Sequence, residues 1–166
     1  MGASEEGIAD ARERAAAAAA EPAGVRVVRL RIGVVGCGGK GLSDMRACAK
    51  DHDIVALCDV DEKRAGGTFA KFPKAKRFKD FRKMLDEIHH QIDAVVIGTP
   101  DHTHAVATMD AMRRGKHVYT QKPLTHSIWE ARQLTEAARQ CGVATQMGNQ
   151  GHSSEGARLT VEWIRA

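Results

Sequence analysis

Apolar runs and amphipathic segments alternate along most of the chain, and this alternation predicts its secondary structure. Short runs rich in Val, Ile, Leu and Ala predict six β-strands. These strands are expected at Val27–Val35, Ile54–Cys58, Ala75–Phe78, Ile92–Ile97, from His117–Tyr119 onward, and at Val143–Met147. The fourth run is apolar nearly throughout, which is typical of the centre of a parallel sheet covered on both faces.

Apolar residues at helical spacing occupy the segments between these strands. Phe81, Met84, Leu85 and Ile88 are spaced as i, i+3, i+4 and i+7, which predicts an amphipathic helix. Helices are expected within residues 43–50, 62–70, 81–88, 105–114, 127–141 and 155–166. Their expected boundary signals are Asp61 and Asp80 as N-caps, a capping box at Ser127–Glu130, and Gly115 and Gly142 as stops.

This order of elements predicts an α/β fold with a doubly wound parallel sheet of strand order 3-2-1-4-5-6. Right-handed crossovers and short connections exclude most other topologies. We expect the sheet domain to span residues 25–150. Residues 1–24, where acidic residues precede a run of alanines, are expected to be a disordered or helical leader outside the fold. At residues 151–166 the pattern changes, and a further domain is expected to start there.

Composition and charge narrow the classes of function. The chain has 166 residues, 43% of them hydrophobic, and no apolar run approaches the ~20 residues of a membrane helix. The net charge of +4 is concentrated in part within residues 71–83, which we interpret as a solvent-exposed edge. Because aromatic residues are few and no nucleic-acid motif accompanies this charge, nucleic acid is not expected as a partner.

The cysteines indicate a reducing compartment. Cys37, Cys48, Cys58 and Cys141 have no C-x-x-C spacing, so neither disulfides nor zinc are expected. The N-terminus lacks the basic start and the long apolar centre of a secretory signal. A cytoplasmic location is therefore expected, while export stays open.

A glycine-rich turn follows the first strand directly. Gly36-Cys37-Gly38-Gly39-Lys40-Gly41 matches G-x-G-x-x-G between a strand and a helix, the context of the Rossmann dinucleotide fingerprint. Gly36 allows the tight turn, Gly38 allows the backbone to approach a pyrophosphate, and Gly41 allows the helix to pack closely. Gly39 and Lys40 complete the expected phosphate site at the helix N-terminus. The G-K-[ST] ending of a nucleotide-hydrolysing loop is absent.

An acidic residue agrees with this interpretation. Asp59 ends the second strand 18 residues after Gly41, where the fingerprint places an acid for the adenosine ribose hydroxyls. A carboxylate there repels a 2′-phosphate, so NAD is favoured over NADP. Lys63 and Arg64 are close enough in sequence to neutralise such a phosphate, and NADP therefore stays open.

Two further polar segments follow the fourth and fifth strands, beside the crevice where doubly wound sheets bind ligands. One is Gly98–Ala105, which contains Thr99, Pro100, His102 and His104, and the other is Tyr119–Leu124, which contains Gln121 and Lys122. His102 and His104 point apart at i, i+2 spacing, so we expect cofactor or packing roles and no metal.

Together, these motifs resemble the NAD(P)-binding half of the Gfo/Idh/MocA oxidoreductases over about Arg31–Asn149. The residues that carry the resemblance are the glycine turn, Asp59, Thr99-Pro100 with His104, Gly115-Lys116-His117-Val118 and Lys122-Pro123. The resemblance implies redox chemistry between a hydroxyl and a ketone on a sugar or polyol, with a nicotinamide cofactor. A homo-oligomer stays open.

The same resemblance implies roles for individual residues. Lys122 is expected near the nicotinamide and the reacting hydroxyl, where it hydrogen-bonds the oxygen and helps to carry its proton. Thr99, Pro100, His102, His104 and Gln121 are expected to line the cofactor. Asn149 follows the sixth strand and is expected to contact nicotinamide or substrate.

The sequence departs from the family in two respects. Gln121 stands where the usual motif is Glu-Lys-Pro, which removes a charge beside Lys122. The family also carries a C-terminal substrate domain, and residues 151–166 are expected to be the start of a truncated one. The alternative to an enzyme is therefore a non-catalytic NAD-binding module, and a methyltransferase with a similar glycine turn is disfavoured by the segments at 99–104 and 121–123.

Overall fold

The computed structural model describes residues 28–166. The leader expected at residues 1–24 lies outside the described residues, as does the start of the domain expected from residue 25. Strands and helices alternate as the sequence predicts. The strands are β1 Arg31–Val35, β2 Asp53–Cys58, β3 Lys76–Phe78, β4 Ala94–Ile97, β5 His117–Gln121 and β6 Thr145–Gly148. The α-helices are α1 Lys40–Cys48, α2 Glu62–Lys71, α3 Phe81–Ile88, α4 His104–Arg113, α5 Ile128–Cys141 and α6 Glu155–Arg165.

The six strands form one parallel sheet in the order β3-β2-β1-β4-β5-β6. This confirms the predicted doubly wound α/β fold. Because the chain reverses its direction across the sheet between β3 and β4, the carboxyl ends of β1 and β4 face the crevice where such sheets bind ligands.

Two apolar layers cover the sheet. Val35, Ala56, Val95 and Ile97 pack with the buried faces of α3, α4 and α5. The alternate strand residues, which include Ile32, Val34, Leu57 and Val96, pack with Met45 of α1 and with Ala65 and Phe69 of α2. This alternation follows from the two-residue period of a strand and accounts for the nearly continuous apolar runs.

Side-chain caps begin three of the helices where the sequence predicts them. Asp61 accepts hydrogen bonds from the backbone N–H groups of Lys63 and Arg64, and Asp80 accepts one from Arg82. At the start of α5, Ser127 and Glu130 form both bonds of the capping box. Such caps stabilise a helix by about 1 kcal/mol each because they satisfy otherwise unpaired donors.

The first strand is shorter than predicted. Strand β1 begins at Arg31, so its expected start at Val27 was wrong for the described residues from Val28 to Leu30. The neighbouring strands explain the difference, because β1 meets its first partner residue at Asp53 of β2 and has none farther back. Val28 is correspondingly exposed.

Candidate functional site

The glycine turn is held by close backbone contacts at the carboxyl ends of β1 and β4. Gly36 has a φ of +83°, and a Cβ on it would lie 2.7 Å from the backbone carbon of Gly98. A Cβ on Gly41 would collide with the carbonyl oxygen of Gly36, so helix α1 approaches the strand as only glycine permits. The roles inferred from sequence for the tight turn and the close helix packing therefore have a geometric basis.

Asp59 fastens this turn to the end of β2. Its carboxylate accepts hydrogen bonds from the backbone N–H groups of Cys37 at 2.8 Å and Gly38 at 3.3 Å. Its other oxygen accepts one from the N–H of Asp61 at 3.0 Å. Because an ionised carboxylate has about four acceptor positions, Asp59 retains capacity for a further donor. The expected contact with a ribose remains a prediction.

Arg64 is a basic residue at this site to which sequence reasoning gave only a secondary role. Its side chain, from the first turn of α2, lies over the turn, and a Cβ on Gly38 would meet the Arg64 Cγ at 2.7 Å. A Cβ on Gly39 would lie 3.1 Å from a terminal guanidinium nitrogen. A guanidinium group therefore lies over the glycine turn.

The thiol inside the turn is buried and unreactive in character. Burial, reinforced by the Asp59 carboxylate, raises the pKa of Cys37 to about 12. Burial, together with Asp80 and Asp59, also raises the pKa of Cys58 to about 12. Both thiols are therefore protonated at neutral pH, whereas the nucleophilic form of cysteine is the thiolate.

His104 joins the two polar segments that follow β4 and β5. The ring is 1% exposed, with Nδ1 2.6 Å from the carbonyl oxygen of Pro123 and Nε2 2.8 Å from that of Thr99. Because both partners are acceptors, a neutral imidazole can donate one of these bonds and an imidazolium both. In this arrangement His104 holds the loops together, whereas His102 is exposed beside Asp101.

The remaining residues expected at the site lie at the same edge of the sheet. Lys122 and Pro100 are exposed, and the Lys122–Pro123 peptide bond is cis. The hydroxyl oxygen of Thr99 is buried without a hydrogen-bond partner. The exposed Asn149 accepts a hydrogen bond from Gln146 at 3.3 Å.

A polar cluster around the buried Asp44 and Gln121, which sequence reasoning missed, connects α1 to β5 and to the segment after β6. Asp44 accepts hydrogen bonds from Gln121 Nε2 at 2.5 Å and from Gln150 Nε2 at 3.4 Å, and it forms an ion pair with Lys40 at 2.6 Å. Gln150 also donates to the hydroxyl of Tyr119 at 2.7 Å. Lys40 therefore binds Asp44 here. The one available signal was an acid on the helix face that also carries the buried Gly41 and Met45.

Within residues 28–166, no group of three or more His, Cys, Asp or Glu side chains could hold a metal ion. In the same part of the chain, no helix combines the length and the apolar character needed to cross a bilayer.

Comparison with known proteins adds independent findings. Residues 30–149 match a protein-family model described as an oxidoreductase family with an NAD-binding Rossmann fold. The inositol 2-dehydrogenase of Rubrobacter xylanophilus is 34% identical over 117 residues, which cover 69% of this chain and 33% of that protein. The chain thus spans about a third of the length of this relative.

Solved structures resemble this chain over most of its length. An NAD-binding oxidoreductase from Klebsiella pneumoniae has a TM-score of 0.69 and 30% identity, over 83% of this chain and 39% of that one. A scyllo-inositol dehydrogenase from Lactobacillus casei, solved with NAD(H) and scyllo-inositol, has a TM-score of 0.73 and 22% identity, over 83% and 41% of the two chains. The second likeness shows the fold alone.

Proposed function

The chain belongs to the Gfo/Idh/MocA oxidoreductase family, whose matched domain is an NAD-binding Rossmann fold, and from this we propose that it is the cofactor-binding half of an enzyme that interconverts a hydroxyl and a ketone on a sugar, polyol or related molecule. The observation that carries the proposal is the contact of Gly36, Gly41 and Gly98. These glycines bring the start of α1 against the ends of β1 and β4. Inositol 2-dehydrogenase among the relatives supports the substrate class.

The residues at the turn fit a dinucleotide. We propose that Gly36, Gly38, Gly39, Lys40 and Gly41 surround the pyrophosphate, whose charge is favoured at a helix N-terminus. Asp59 would bind the adenosine ribose through its remaining acceptor capacity. The carboxylate favours NAD, and the Arg64 guanidinium over the turn is the feature that keeps NADP open.

The residues after β4 and β5 form the proposed nicotinamide side. The bound cofactor would accept or supply a hydride. Lys122, exposed at this edge, would donate a hydrogen bond to the reacting oxygen and carry its proton. Thr99, Pro100, His102, Gln121 and Asn149 would line the nicotinamide side, and His104 would hold the two loops in register.

A second candidate function, an NAD-binding module without catalysis, is favoured by one observation. Helix α6 has no buried residue, and Trp163 on it is 74% exposed. We propose that residues 151–166 begin the substrate domain, since the 117 matched residues make up only 33% of the inositol 2-dehydrogenase of Rubrobacter xylanophilus. A protein that lacked the substrate domain would bind NAD but would lose near-attack geometry worth ~7–11 kcal/mol.

Calorimetric titration of the chain with NAD, NADP and S-adenosylmethionine tests the cofactor. We expect binding of NAD, and Asp59→Ala should weaken it at least about tenfold, because ~1.4 kcal/mol is a modest value for a charge-assisted hydrogen bond. Asp51→Ala, an exposed acid at the opposite end of β2, is the matched control. Unchanged affinity in Asp59→Ala would remove Asp59 from the site, and preference for S-adenosylmethionine would overturn the proposal.

Activity separates the two functions. The chain is assayed with NAD against a panel of inositols and sugars by the absorbance of NADH. Turnover by the chain alone would exclude the module. If the chain binds NAD and turns nothing over, the module interpretation holds for these 166 residues.

A further inference from the structure

We infer that Asp44 is a positioning residue: its carboxylate holds Gln121, and through Gln121 the adjoining Lys122, and it requires an uncharged amide at position 121. The inference rests on the proposed function in one respect, namely that Lys122 works at the nicotinamide side. It assigns a role to a residue of α1 that lies outside the glycine fingerprint itself.

The geometry of the contact is direct. Asp44 is 8% exposed and Gln121 is 4% exposed, yet their side chains meet at 2.5 Å although they lie 77 residues apart. A buried carboxylate is costly unless donors surround it, and here Gln121, Lys40 and Gln150 supply them. Gln121 is therefore one of the groups that make the burial of Asp44 tolerable.

Asp44 joins three segments that the proposed site needs in register. Helix α1 carries Asp44 itself and begins at the glycine turn. Gln121 is the last residue of β5 and precedes Lys122. Gln150 follows Asn149 after β6, and it donates both to Asp44 and to Tyr119 of β5. Loss of the carboxylate would release α1 from the side chains of Gln121 and Gln150.

The side-chain amide of Gln121 is oriented toward Asp44. Gln121 turns its NH₂ group to Asp44, while its carbonyl oxygen is buried without a partner. Gly148 packs closely against this amide, since a Cβ at that position would lie 2.7 Å from Gln121 Nε2. A carboxylate at position 121 would therefore be pressed against that of Asp44. This gives a physical reason for the amide of the Gln-Lys-Pro motif.

The other charged and titratable groups around Asp44 and Gln121 do not change their charge between pH 5 and pH 8 in a way that would hide repulsion between two carboxylates. Lys40 faces Asp44 from the preceding turn of α1. Burial, followed by the charge of Asp44, raises the pKa of Cys48 and that of Tyr119 above their ordinary values. Both groups therefore stay neutral below pH 8. In a Gln121→Glu variant the new carboxyl and Asp44 would share one proton at low pH and repel each other once it is lost.

The experiment compares Gln121→Glu with Asp44→Asn/Gln121→Glu in the 166-residue chain. Each is measured at pH 5 and pH 8 for its urea unfolding midpoint, its NAD dissociation constant by calorimetry, and the NMR shift of the Lys122 side chain, assigned with Lys122→Arg. Gln140→Glu is the matched control, since Gln140 donates to Glu136 at 3.0 Å on the exposed face of α5. This control also replaces an amide with a carboxylate beside an acidic residue, but at an exposed position.

At pH 8 we expect Gln121→Glu to unfold at lower urea, to bind NAD at least about tenfold more weakly than wild type, and to shift the Lys122 signal. At pH 5 it should approach wild type, and the double variant should stay within about threefold at both pH values. Three results would overturn the inference: no effect at pH 8, no rescue in the double variant, or a lower midpoint with unchanged Lys122 signal and NAD affinity. Failure of wild type to bind NAD would contradict the proposed function instead, and the midpoints and Lys122 signal would still decide the role of Asp44.

Discussion

The two sides of the candidate site are built in different ways. The turn side consists of Gly36–Gly41, Gly98 and Asp59, and main-chain contacts dominate it. The lysine side consists of Thr99–His104 and Gln121–Pro123 with Asp44 behind them. There, side chains from distant segments bind one another or backbone carbonyls. The turn side therefore depends on glycines, which have no side chain. The lysine side depends on contacts between particular side chains and their partners.

This difference decides how each side responds to substitution. At Gly36, Gly41 and Gly98 the constraint is steric, because backbone atoms leave no room for even one added methyl group. On the lysine side the constraint is hydrogen bonding and charge, so a change at one residue can be offset by a change at its partner. The predictions below test this distinction.

The largest effect is expected for Gly41→Ala on the turn side. The added Cβ would collide with the carbonyl oxygen of Gly36, and backbone atoms cannot move aside as a flexible side chain can. We expect the free energy of unfolding to fall by about 4 kcal/mol or more, because overpacking and backbone displacement combine. Urea denaturation followed by circular dichroism measures it.

Gly66→Ala in α2 is the matched control for that substitution. A Cβ at Gly66 would meet nothing within 4 Å, and the residue lies inside a helix. Alanine there should stabilise the fold by about 0.5–1 kcal/mol. Equal effects at the two glycines would contradict the steric description of the turn side.

A smaller loss is expected for His104→Ala on the lysine side. The substitution removes the bridge between the carbonyls of Thr99 and Pro123 and leaves a cavity at a fully buried position. We expect destabilisation of about 2–3 kcal/mol, measured by the same denaturation. His102→Ala, at an exposed histidine two residues away, should change stability by less than about 0.5 kcal/mol. Comparable losses would show that His104 is not a bridge.

Sequence predicted the turn side more completely than the lysine side, and the reason is the range of the interactions. The strand, the glycine spacing and the helix of the turn lie within one short segment, and Asp59 ends the next strand. Local pattern therefore predicted the strand, the turn and the helix that follows it. The six-stranded order followed as well, since handedness and connection length leave few topologies.

The lysine side depends on pairings that periodicity does not reveal. His104 was expected to serve the cofactor or the packing, and only the structure shows both ring nitrogens directed at carbonyl oxygens. Asp44 meets Gln121 across 77 residues. Its one sequence signal was an acid on the helix face that carries Gly41 and Met45. That signal does not identify the partner of the acid.

The smallest effect is a pH dependence that arises at Cys37, the buried thiol of the turn side. Burial raises the pKa of Cys37 from its ordinary value of 9.0 to about 12. The folded chain therefore keeps a proton that the unfolded chain releases above pH 9, so stability falls as the pH rises from about 9 toward 12. At pH 10 this amounts to about 1 kcal/mol for Cys37.

Unfolding of wild type and Cys37→Ala is therefore compared at pH 7 and pH 10, with the difference between the two pH values as the readout, so that any cavity cost cancels. The variant should lose about 1 kcal/mol less than wild type over this interval, and equal losses would mean that the thiol of the turn is exposed to water.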